Sequence, residues 1–415
     1  MKILFIHQNF PGQFKHLAPA LAARGHEVWA LTLPRTERPA LDGVRVVQYR
    51  IARGSTRGIH PWLSDLETKV IRGHACFKAA QALRRQGLQP DAIVAHPGWG
   101  ESLFLKDVWP ESRLGLYAEF YYRAQGADSG FDPEFSEPDD GQAARLRLKN
   151  LNTDLHMAVA SAALSPTHWQ ASTYPEAFRS RITVAHDGID TDWIVPRADA
   201  RLSLPGGLSL SREDEVITYF ARNLEPYRGY HIFMRALPQL LRRRPRAQVL
   251  VVGADGTSYG RKPDPGKDGG HSWKDIYTAE VRDQIPDHDW ARVHFVGAVP
   301  HPVLVQIMQV SRVHLYWTYP FVLSWSLLEA MSAGCCIVAS RTAPLLEVIE
   351  HGHNGMLVDF FDPQGLVEQV NALLEDPETR RRLGAAARAL AVERYDLRSQ
   401  ALPRQSAWAE QLAQM

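Results

Sequence analysis

The segment Val216–Gly229 reads VITYFARNLEPYRG and contains both a strand signal and a candidate anion site. Its first five residues are β-branched or aromatic, which favours a buried strand, and the later Pro and Gly favour a turn. Arg222 and Arg228 follow the predicted strand on either side of that turn. Two guanidinium groups can hold a diphosphate and stabilise it as a leaving group. The segment therefore predicts an α/β domain with a phosphate site, although solvated surface arginines would be the better explanation if the pair stood alone.

Similar apolar runs alternate with amphipathic helical stretches on both sides of this segment. The further predicted strands are Lys2–Ile6, Glu27–Leu31, Val44–Tyr49, Ala92–Ala95, Leu114–Glu119, Ala158–Ala163, Gln248–Val252, Val293–Val296, Val313–Tyr316 and Cys336–Ala339. The predicted helices between them include Gln13–Ala23, Ser326–Ala333 and Gln364–Leu374. Strand–helix alternation of this kind predicts parallel sheets with right-handed crossovers.

The alternation pauses at Pro196–Arg212, where the Pro- and Gly-containing composition is typical of a linker. We therefore expect two doubly wound α/β domains over residues 1–200 and 201–394. A helix in residues 395–415 is expected to pack back on the first domain. Ligands bind beyond the carboxyl ends of the strands in such sheets, so the expected site is the cleft between the two facing domains.

Charge and cysteine content exclude several classes of protein. Among 415 residues, 47 basic and 46 acidic side chains leave a net charge of +1, which provides no general field for nucleic acid. The 3 cysteines favour a reducing cytoplasm, because they cannot form a disulfide framework. No apolar run is long enough to predict a membrane span. Basic residues between Arg50 and Lys78, with Trp62 and Phe77 among them, leave a peripheral membrane contact open, although a solvated basic helix is the simpler interpretation.

A second candidate site lies in Tyr319–Gly334, which reads YPFVLSWSLLEAMSAG. The run starts as a loop after a strand and becomes helical near Ser326, where the first backbone amides can hold a phosphate. Glu329 lies about one turn inside the helix and can accept hydrogen bonds from two sugar hydroxyls. The alternative is a surface glutamate on an ordinary helix.

Four residues of the first predicted domain also follow strand ends. Gly12 lies in a turn where it would let the backbone approach a ligand, although a plain tight turn is the simpler interpretation. That turn lacks the three glycines typical of nicotinamide enzymes. His96 ends the run AIVAH and faces the ligand end of the sheet, unless it only caps the next loop. Glu119 and Tyr121 are candidates for contact with an acceptor sugar, but buried edge residues would give the same pattern.

The two candidate donor segments, Val216–Gly229 and Tyr319–Gly334, occur in order along the chain with four further segments. These are Ile182–Asp190, Val252–Gly253, Phe295–His301 and Glu347–Val358. Together they resemble the retaining family 4 glycosyltransferases, which have the two-domain GT-B fold. This resemblance implies that the first domain binds the acceptor and the second the nucleotide sugar. It assigns the donor diphosphate to Arg222 and Arg228, the second of which is usually lysine in the family. It also assigns the ribose to Glu329, a phosphate loop to Gly12 and a position near the donor sugar to His96.

Phe321 departs from the family pattern. It stands eight residues before Glu329, where the family has a glutamate that contacts the donor sugar. That carboxylate contact is therefore absent, whereas the backbone amides of the donor-binding residues Leu323, Ser324 and Trp325 remain available.

The resemblance implies a cytoplasmic retaining glycosyltransferase that uses a nucleoside-diphosphate sugar and an acceptor hydroxyl on a glycan, a glycolipid or a small molecule. It implies front-face displacement without a protein nucleophile. We expect neither a cofactor nor a metal, because no H-E-x-x-H or C-x-x-C spacing occurs. Two alternatives stay open: a GT-B epimerase or phosphorylase, and a sugar-nucleotide-binding protein without transfer activity.

Overall fold

The computed structural model describes residues 1–34, 41–136, 140–204 and 206–415. The chain forms two compact units, which we call the first unit (Met1–Gly188 with Leu397–Met415) and the second unit (Ile189–Asp396). The chain thus enters the second unit twelve residues before the boundary expected at residue 200. The physical reason is packing, since Ile189 and Ile194 are buried in the hydrophobic core of the second unit.

The first unit contains a seven-stranded parallel sheet in the order β3-β2-β1-β4-β5-β6-β7. Its strands are β1 (Lys2–Ile6), β2 (Glu27–Thr32), β3 (Val44–Gln48), β4 (Ala92–Ala95), β5 (Arg113–Tyr117), β6 (Ala162–Ser165) and β7 (Ile182–Val184). The helices between them are α1 (Leu17–Ala23), α2 (Ser64–Arg85), α3 (Leu105–Val108), α4 (Gln142–Val159), α5 (His168–Thr173) and α6 (Glu176–Arg179). The central strands are buried along nearly their whole length, which explains why they read as continuous apolar runs.

The second unit contains a six-stranded parallel sheet in the order β12-β11-β10-β13-β14-β15, with a separate antiparallel pair β8-β9. Its strands are β8 (Arg201–Ser203), β9 (Ser209–Ser211), β10 (Val216–Asn223), β11 (Gln248–Ala254), β12 (Val293–Gly297), β13 (Val313–Tyr316), β14 (Ile337–Ser340) and β15 (Met356–Val358). Its helices are α7 (Tyr230–Arg243), α8 (Pro265–Asp268), α9 (Trp273–Arg282), α10 (Asp287–Trp290), α11 (His301–Val310), α12 (Trp325–Ser332), α13 (Ala343–Leu346), α14 (Pro363–Glu375) and α15 (Pro377–Tyr395). Both sheets are doubly wound, as the strand–helix alternation predicts.

The last helix, α16 (Leu402–Gln414), lies in the first unit and packs against α1 and β5. Trp408 and Leu412 are buried there in the same core cluster as Phe5 and Phe14. The helix comes so close to β5 that a Cβ on Gly115 would lie 2.5 Å from Leu412 and 2.7 Å from Trp408. The C-terminal residues are therefore part of the core of the first unit.

Two local expectations from the sequence were wrong. The strand expected at Ala158–Ala163 is β6, which begins four residues later, because Ala158 and Val159 end helix α4. Runs of small apolar residues fit a helix end as well as a strand start, so the pattern alone could not place this boundary. The segment Pro196–Arg212 is not a bare linker, because it contains the β8-β9 pair with Leu202 and Leu210 buried; Pro205 lies outside the described residues.

The packing of α16 predicts a large effect of truncating Trp408. We expect Trp408→Ala to lower the free energy of unfolding by about 3–5 kcal/mol, because it leaves a cavity in a packed core. Urea denaturation measures this loss. The control is Trp62→Ala, since Trp62 is 38% exposed and its truncation should change stability by less than about 0.5 kcal/mol. Equal effects of the two changes would contradict the packing described for α16.

Candidate active site

Three neighbouring strands of the first unit each place one polar side chain at their carboxyl ends. His7 follows β1, His96 follows β4, and Glu119 lies two residues beyond β5. Because β1, β4 and β5 are adjacent in the sheet, the three side chains meet at one edge.

Hydrogen bonds join His7 to Glu119 through Gln13. The amide N–H of Asn9 donates to Nδ1 of His7 (2.9 Å), and Nε2 of His7 lies 2.8 Å from Oε1 of Gln13. Nε2 of Gln13 in turn donates to Oε1 of Glu119 (3.1 Å). Gln13 was not singled out in the sequence, because it lies in the turn after β1 and 106 positions before Glu119.

His96 approaches the other oxygen of the same carboxylate. Its Nδ1 accepts from the amide N–H of Gly98 (3.1 Å), and its Nε2 lies 3.4 Å from Oε2 of Glu119, a long contact for a hydrogen bond. The imidazole stacks on Trp99 with a centroid distance of 4.4 Å. Burial raises the pKa of Glu119, but interaction with His96 and with His7 outweighs burial and holds this pKa below its ordinary value.

The other two candidates of the first unit lie in different surroundings. Gly12 has a φ of +49°, and a Cβ at this position would lie 2.4 Å from the imidazole of His7. Glycine is therefore required locally to leave room for that ring. The hydroxyl of Tyr121 donates to Oδ1 of Asp154 (3.0 Å), and burial together with this hydrogen bond raises the pKa of Tyr121 to about 12. The structure thus joins Glu119 to His96 but gives Tyr121 a separate partner.

The second unit repeats the arrangement on β10, β13 and β14. Arg228 is buried and lies in a single 3-10 turn after β10, and its Nη1 donates to the hydroxyl of Thr318 (2.7 Å). Thr318 lies just beyond β13, and its amide donates to the hydroxyl of Ser340 at the end of β14 (3.1 Å). The guanidinium also lies 5.4 Å from the ring of Tyr259. These contacts hold Arg228 in one orientation.

Arg222, in contrast, is exposed at the end of β10. A buried carboxylate, Glu225, lies between the two arginines in sequence and accepts from the amides of Ser258 (2.9 Å) and Tyr259 (3.0 Å). Burial raises the pKa of Glu225, while those amides and the charges of Arg228 and Arg222 oppose the rise. Both guanidinium groups are therefore within electrostatic reach of one carboxylate.

Glu329 is buried on α12 and has a specific partner. Its Oε1 lies 2.8 Å from Nε2 of His301, the first residue of α11, and the His301 ring lies 5.0 Å from that of Trp193. At the start of α12, Ser324 caps the helix by accepting from the amide of Ser326 (3.3 Å).

The expected row of phosphate-binding amides is interrupted at Ser324. Its own amide donates to the hydroxyl of Tyr316 (3.2 Å), so this N–H already has a partner within the protein. Leu323, beside it, is buried, whereas Trp325 is half-buried. No sequence signal could show this, because the Tyr316 hydroxyl reaches the amide across the end of the sheet.

Phe321 is buried in an aromatic cluster. Its ring lies edge-on to Tyr259, with a centroid distance of 4.9 Å, and to Tyr227 at 5.7 Å. The position at which the family has a carboxylate is therefore filled by packed rings.

Comparison with known proteins now identifies the family. A model described as glycosyl transferase family 4 group matches residues 24–194, and one described as glycosyl transferases group 1 matches residues 209–390. The chain belongs to the family 4, group 1 glycosyltransferases. Sucrose-phosphate synthase from Thermosynechococcus elongatus is similar in structure over 100% of both chains, with a TM-score of 0.74 and 19% identity. The fold is therefore GT-B, as the resemblance implied.

Two relatives differ in the share of their length that matches this glycosyltransferase chain. The D-inositol 3-phosphate glycosyltransferase of Corynebacterium glutamicum is 24% identical over 387 residues, which are 88% of this chain and 83% of the relative. Spore coat protein SA of Bacillus subtilis is 29% identical over 223 residues, 52% of this chain, and the match spans 55% of that protein. The chain thus spans about half the length of the spore coat protein and most of the length of the inositol phosphate enzyme.

The structure also bears on membrane contact. Within the described ranges, no helix combines the length and the apolar character needed to cross a bilayer. Two of the basic residues between Arg50 and Lys78, for which a membrane contact was left open, pair with nearby carboxylates. Lys69 is buried with its Nζ 2.7 Å from Asp65, and Arg53 lies 3.0 Å from Glu67.

Several residues of this site were missed by sequence reasoning. Gln13, Glu225, Tyr259 and Thr318 reach the candidate residues only through side-chain contacts across the fold. His7 and His301 carried a usable signal, since His7 directly follows an apolar strand and His301 follows Pro300 at a helix start. A polar residue immediately after a predicted buried strand was therefore the pattern to look for.

The environment of Phe321 predicts that restoring the family glutamate will fail. We expect Phe321→Glu to lower the free energy of unfolding by a few kcal/mol, because it buries a charge among aromatic rings. It should also give no gain in activity. Phe321→Leu, which keeps the site apolar, is the control and should cost about 1–2 kcal/mol less than the glutamate. Faster turnover of the native donor by Phe321→Glu would show instead that the site had lost a functional carboxylate.

Proposed function

We propose that the protein is a retaining glycosyltransferase that moves a sugar from a nucleoside-diphosphate sugar to an acceptor hydroxyl. The observation that most directly supports this proposal is the pair Arg222 and Arg228 in a chain of this family. Arg228 lies beyond the carboxyl end of β10 and is held there by a hydrogen bond to Thr318, and Arg222 is exposed at the same strand end. Parallel sheets bind phosphates at that end, and paired guanidinium groups neutralise a departing diphosphate.

In this proposal the acceptor attacks the anomeric carbon from the face that the diphosphate leaves. A bond forms from the acceptor oxygen to that carbon while the bond to the phosphate oxygen breaks. The acceptor proton passes to a phosphate oxygen, so no protein nucleophile or metal is needed. The protein contributes position and charge stabilisation, which are the main sources of rate in such transfers.

Glu329 is proposed to hold the ribose of the donor. Its carboxylate is buried and fixed by His301, so it can accept hydroxyl hydrogen bonds without first being ordered. Gly12, Leu323, Ser324 and Trp325 remain proposed donor contacts, with Ser324 acting as the helix cap rather than through its own amide. His96 is proposed near the donor sugar, and Glu119 and Tyr121 near the acceptor.

The acceptor class is a hydroxyl of a glycan, a glycolipid or a small molecule. The matched inositol phosphate glycosyltransferase is consistent with a small polyol acceptor. A cytoplasmic location, on its own or at the inner face of a membrane, stays part of the proposal.

The decisive experiment incubates the purified protein with a panel of nucleoside-diphosphate sugars and measures release of the nucleoside diphosphate. Release with one donor, unchanged by a metal chelator and with retained anomeric configuration in the product, is the expected result. Inverted configuration would contradict the retaining mechanism. Loss of activity with the chelator would contradict metal independence.

A second candidate function is binding of a sugar nucleotide without transfer. The buried Phe321 favours it, because the donor-sugar carboxylate of the family is missing. Tight binding of a nucleotide sugar without any release of nucleoside diphosphate would support this alternative. An epimerase would instead convert the donor sugar without an acceptor.

The arginine pair predicts a specific loss of rate. We expect Arg222→Ala to lower kcat by on the order of 100-fold with the fold unchanged, because its charge acts on the leaving group and its side chain is exposed. Arg228→Lys, the usual family residue, should keep most activity, whereas Arg228→Ala should lose at least as much as Arg222→Ala. The control is Arg201→Ala, another exposed arginine of the second unit. Unchanged kcat in both alanine variants would remove the diphosphate assignment.

Replacing Glu329 should weaken donor binding more than it slows the chemical step. A ribose contact is present in both the ground state and the transition state, so Glu329→Ala should raise the donor KM about 10-fold and leave kcat within about 3-fold. Steady-state kinetics with varied donor measure both constants. Glu375→Ala, which removes an exposed carboxylate from α14, should change neither. If kcat fell while the donor KM held, Glu329 would have to act in the chemical step.

A further inference from the structure

The hydrogen bonds of the first unit fix the proton positions on both histidines. Nδ1 of His96 accepts from the amide of Gly98, and Nδ1 of His7 accepts from the amide of Asn9. A backbone N–H can only donate, so each neutral ring must carry its proton on Nε2. The two imidazoles therefore present N–H groups, not lone pairs, to their other neighbours.

Those N–H groups lead to the same carboxylate. The Nε2–H of His7 donates to Oε1 of Gln13, which turns the Gln13 amide nitrogen towards Glu119. Nε2 of His96 lies 3.4 Å from the second oxygen of Glu119 and makes no hydrogen bond among the residues that the structure describes, and this carboxylate is its nearest acidic neighbour. One oxygen of Glu119 thus accepts a hydrogen bond from Gln13, and the other lies next to the His96 N–H, while a backbone amide sets the tautomer of each imidazole. We call these four side chains, His7, Gln13, Glu119 and His96, the carboxylate relay.

Exposure decides which member of the relay can touch a ligand. The His96 side chain is 4% exposed and both of its ring nitrogens face protein atoms, whereas the Glu119 side chain is 38% exposed. A carboxylate has about four acceptor positions; Gln13 uses one of them and the His96 N–H lies beside a second. The remaining positions can accept hydrogen bonds, and the negative charge of the carboxylate repels anions. They therefore suit a neutral donor such as a sugar hydroxyl.

We propose that Glu119 is the residue of the first unit that binds a sugar hydroxyl, and that His96, His7 and Gln13 are positioning residues that act through its carboxylate. The inference rests on the proposed function for the identity of the ligand. It changes the role of His96 from direct sugar contact to orientation of Glu119. The hydroxyl belongs either to the donor sugar or to the acceptor, and the experiment separates the two.

The first arm needs no activity. NMR of the full chain labelled with ¹⁵N-histidine reports which ring nitrogen carries the proton, and His7→Gln and His96→Gln assign the two signals. We expect both rings to be protonated on Nε2 near neutral pH. In Glu119→Gln, an amide NH₂ must face at least one of the two donors, so the His96 or the His7 signal should move towards the other tautomer. A His96 proton on Nδ1 in the wild-type protein would overturn the relay.

The second arm measures KM separately for the donor found with the donor panel and for an acceptor found by adding sugars and polyols to that donor. We expect Glu119→Gln to raise one of the two by on the order of 10-fold with little change in kcat, as for a lost charged hydrogen bond. Gln13→Leu and His96→Asn should raise the same KM by a smaller factor. The matched control is Gln364→Leu, which breaks an exposed Gln–Glu hydrogen bond on α14 and should leave both KM values unchanged.

The KM that rises identifies the source of the hydroxyl. If Glu119→Gln changes neither KM, the inference is wrong. If His96→Asn then raises a KM that Glu119→Gln leaves unchanged, His96 is the contact instead. If no donor is turned over by the wild-type protein, the proposed function has failed, and the relay then stands or falls on the histidine tautomers alone. Thermal unfolding of each variant confirms that the changes in KM do not arise from lost structure.

Discussion

The register of the central parallel strands is the constraint on which both candidate sites depend. Ile6 pairs with Ala95, and Ala95 pairs with Leu116, so the residues that follow these strands emerge side by side. A shift of one residue would turn each side chain to the opposite face of the sheet. Alternate residues of these strands pack in two different core clusters, with Leu4 and Ile6 in one and Ile3 and Phe5 in the other. A slip of one residue would exchange the side chains between the two clusters and disrupt the packing of both. The positions of His7 and His96 follow from this pairing.

Both units use the same device to stabilise buried polar groups. In the first unit each imidazole is anchored by a backbone amide two residues further along the chain, and in the second unit two amides hold Glu225. Buried polar groups cost several kcal/mol unless they are hydrogen-bonded, so these amides make the arrangement tolerable. These hydrogen bonds also restrict the rotation of the His7, His96 and Glu225 side chains before any ligand binds. The buried members of the two sites are therefore held in fixed orientations.

The Phe321 position shows how one substitution redistributes roles in a family site. Packed rings of Tyr227, Tyr259 and Phe321 replace a carboxylate, while Tyr259 also faces the guanidinium of Arg228. In our proposal, the Glu119 carboxylate of the first unit supplies a hydrogen-bond acceptor for a sugar hydroxyl. The diphosphate chemistry proposed for Arg222 and Arg228 does not depend on the missing group, since no protein nucleophile takes part. Family membership and an altered sugar site are thus compatible.

The sequence by itself determined the class of fold, the approximate position of most strands and the motifs that identify the family. These features are local, because a strand or a helix start is encoded in a few consecutive residues, as in KILFI for β1 or in Ser324 as the cap of α12. It did not show the strands β7 and β15, the β8-β9 pair or the start of β6. The partnerships of Gln13 with Glu119, Thr318 with Arg228, and His301 with Glu329 were equally hidden. Each joins residues separated by 28 to 106 positions, and only the folded chain decides which side chains from distant elements meet.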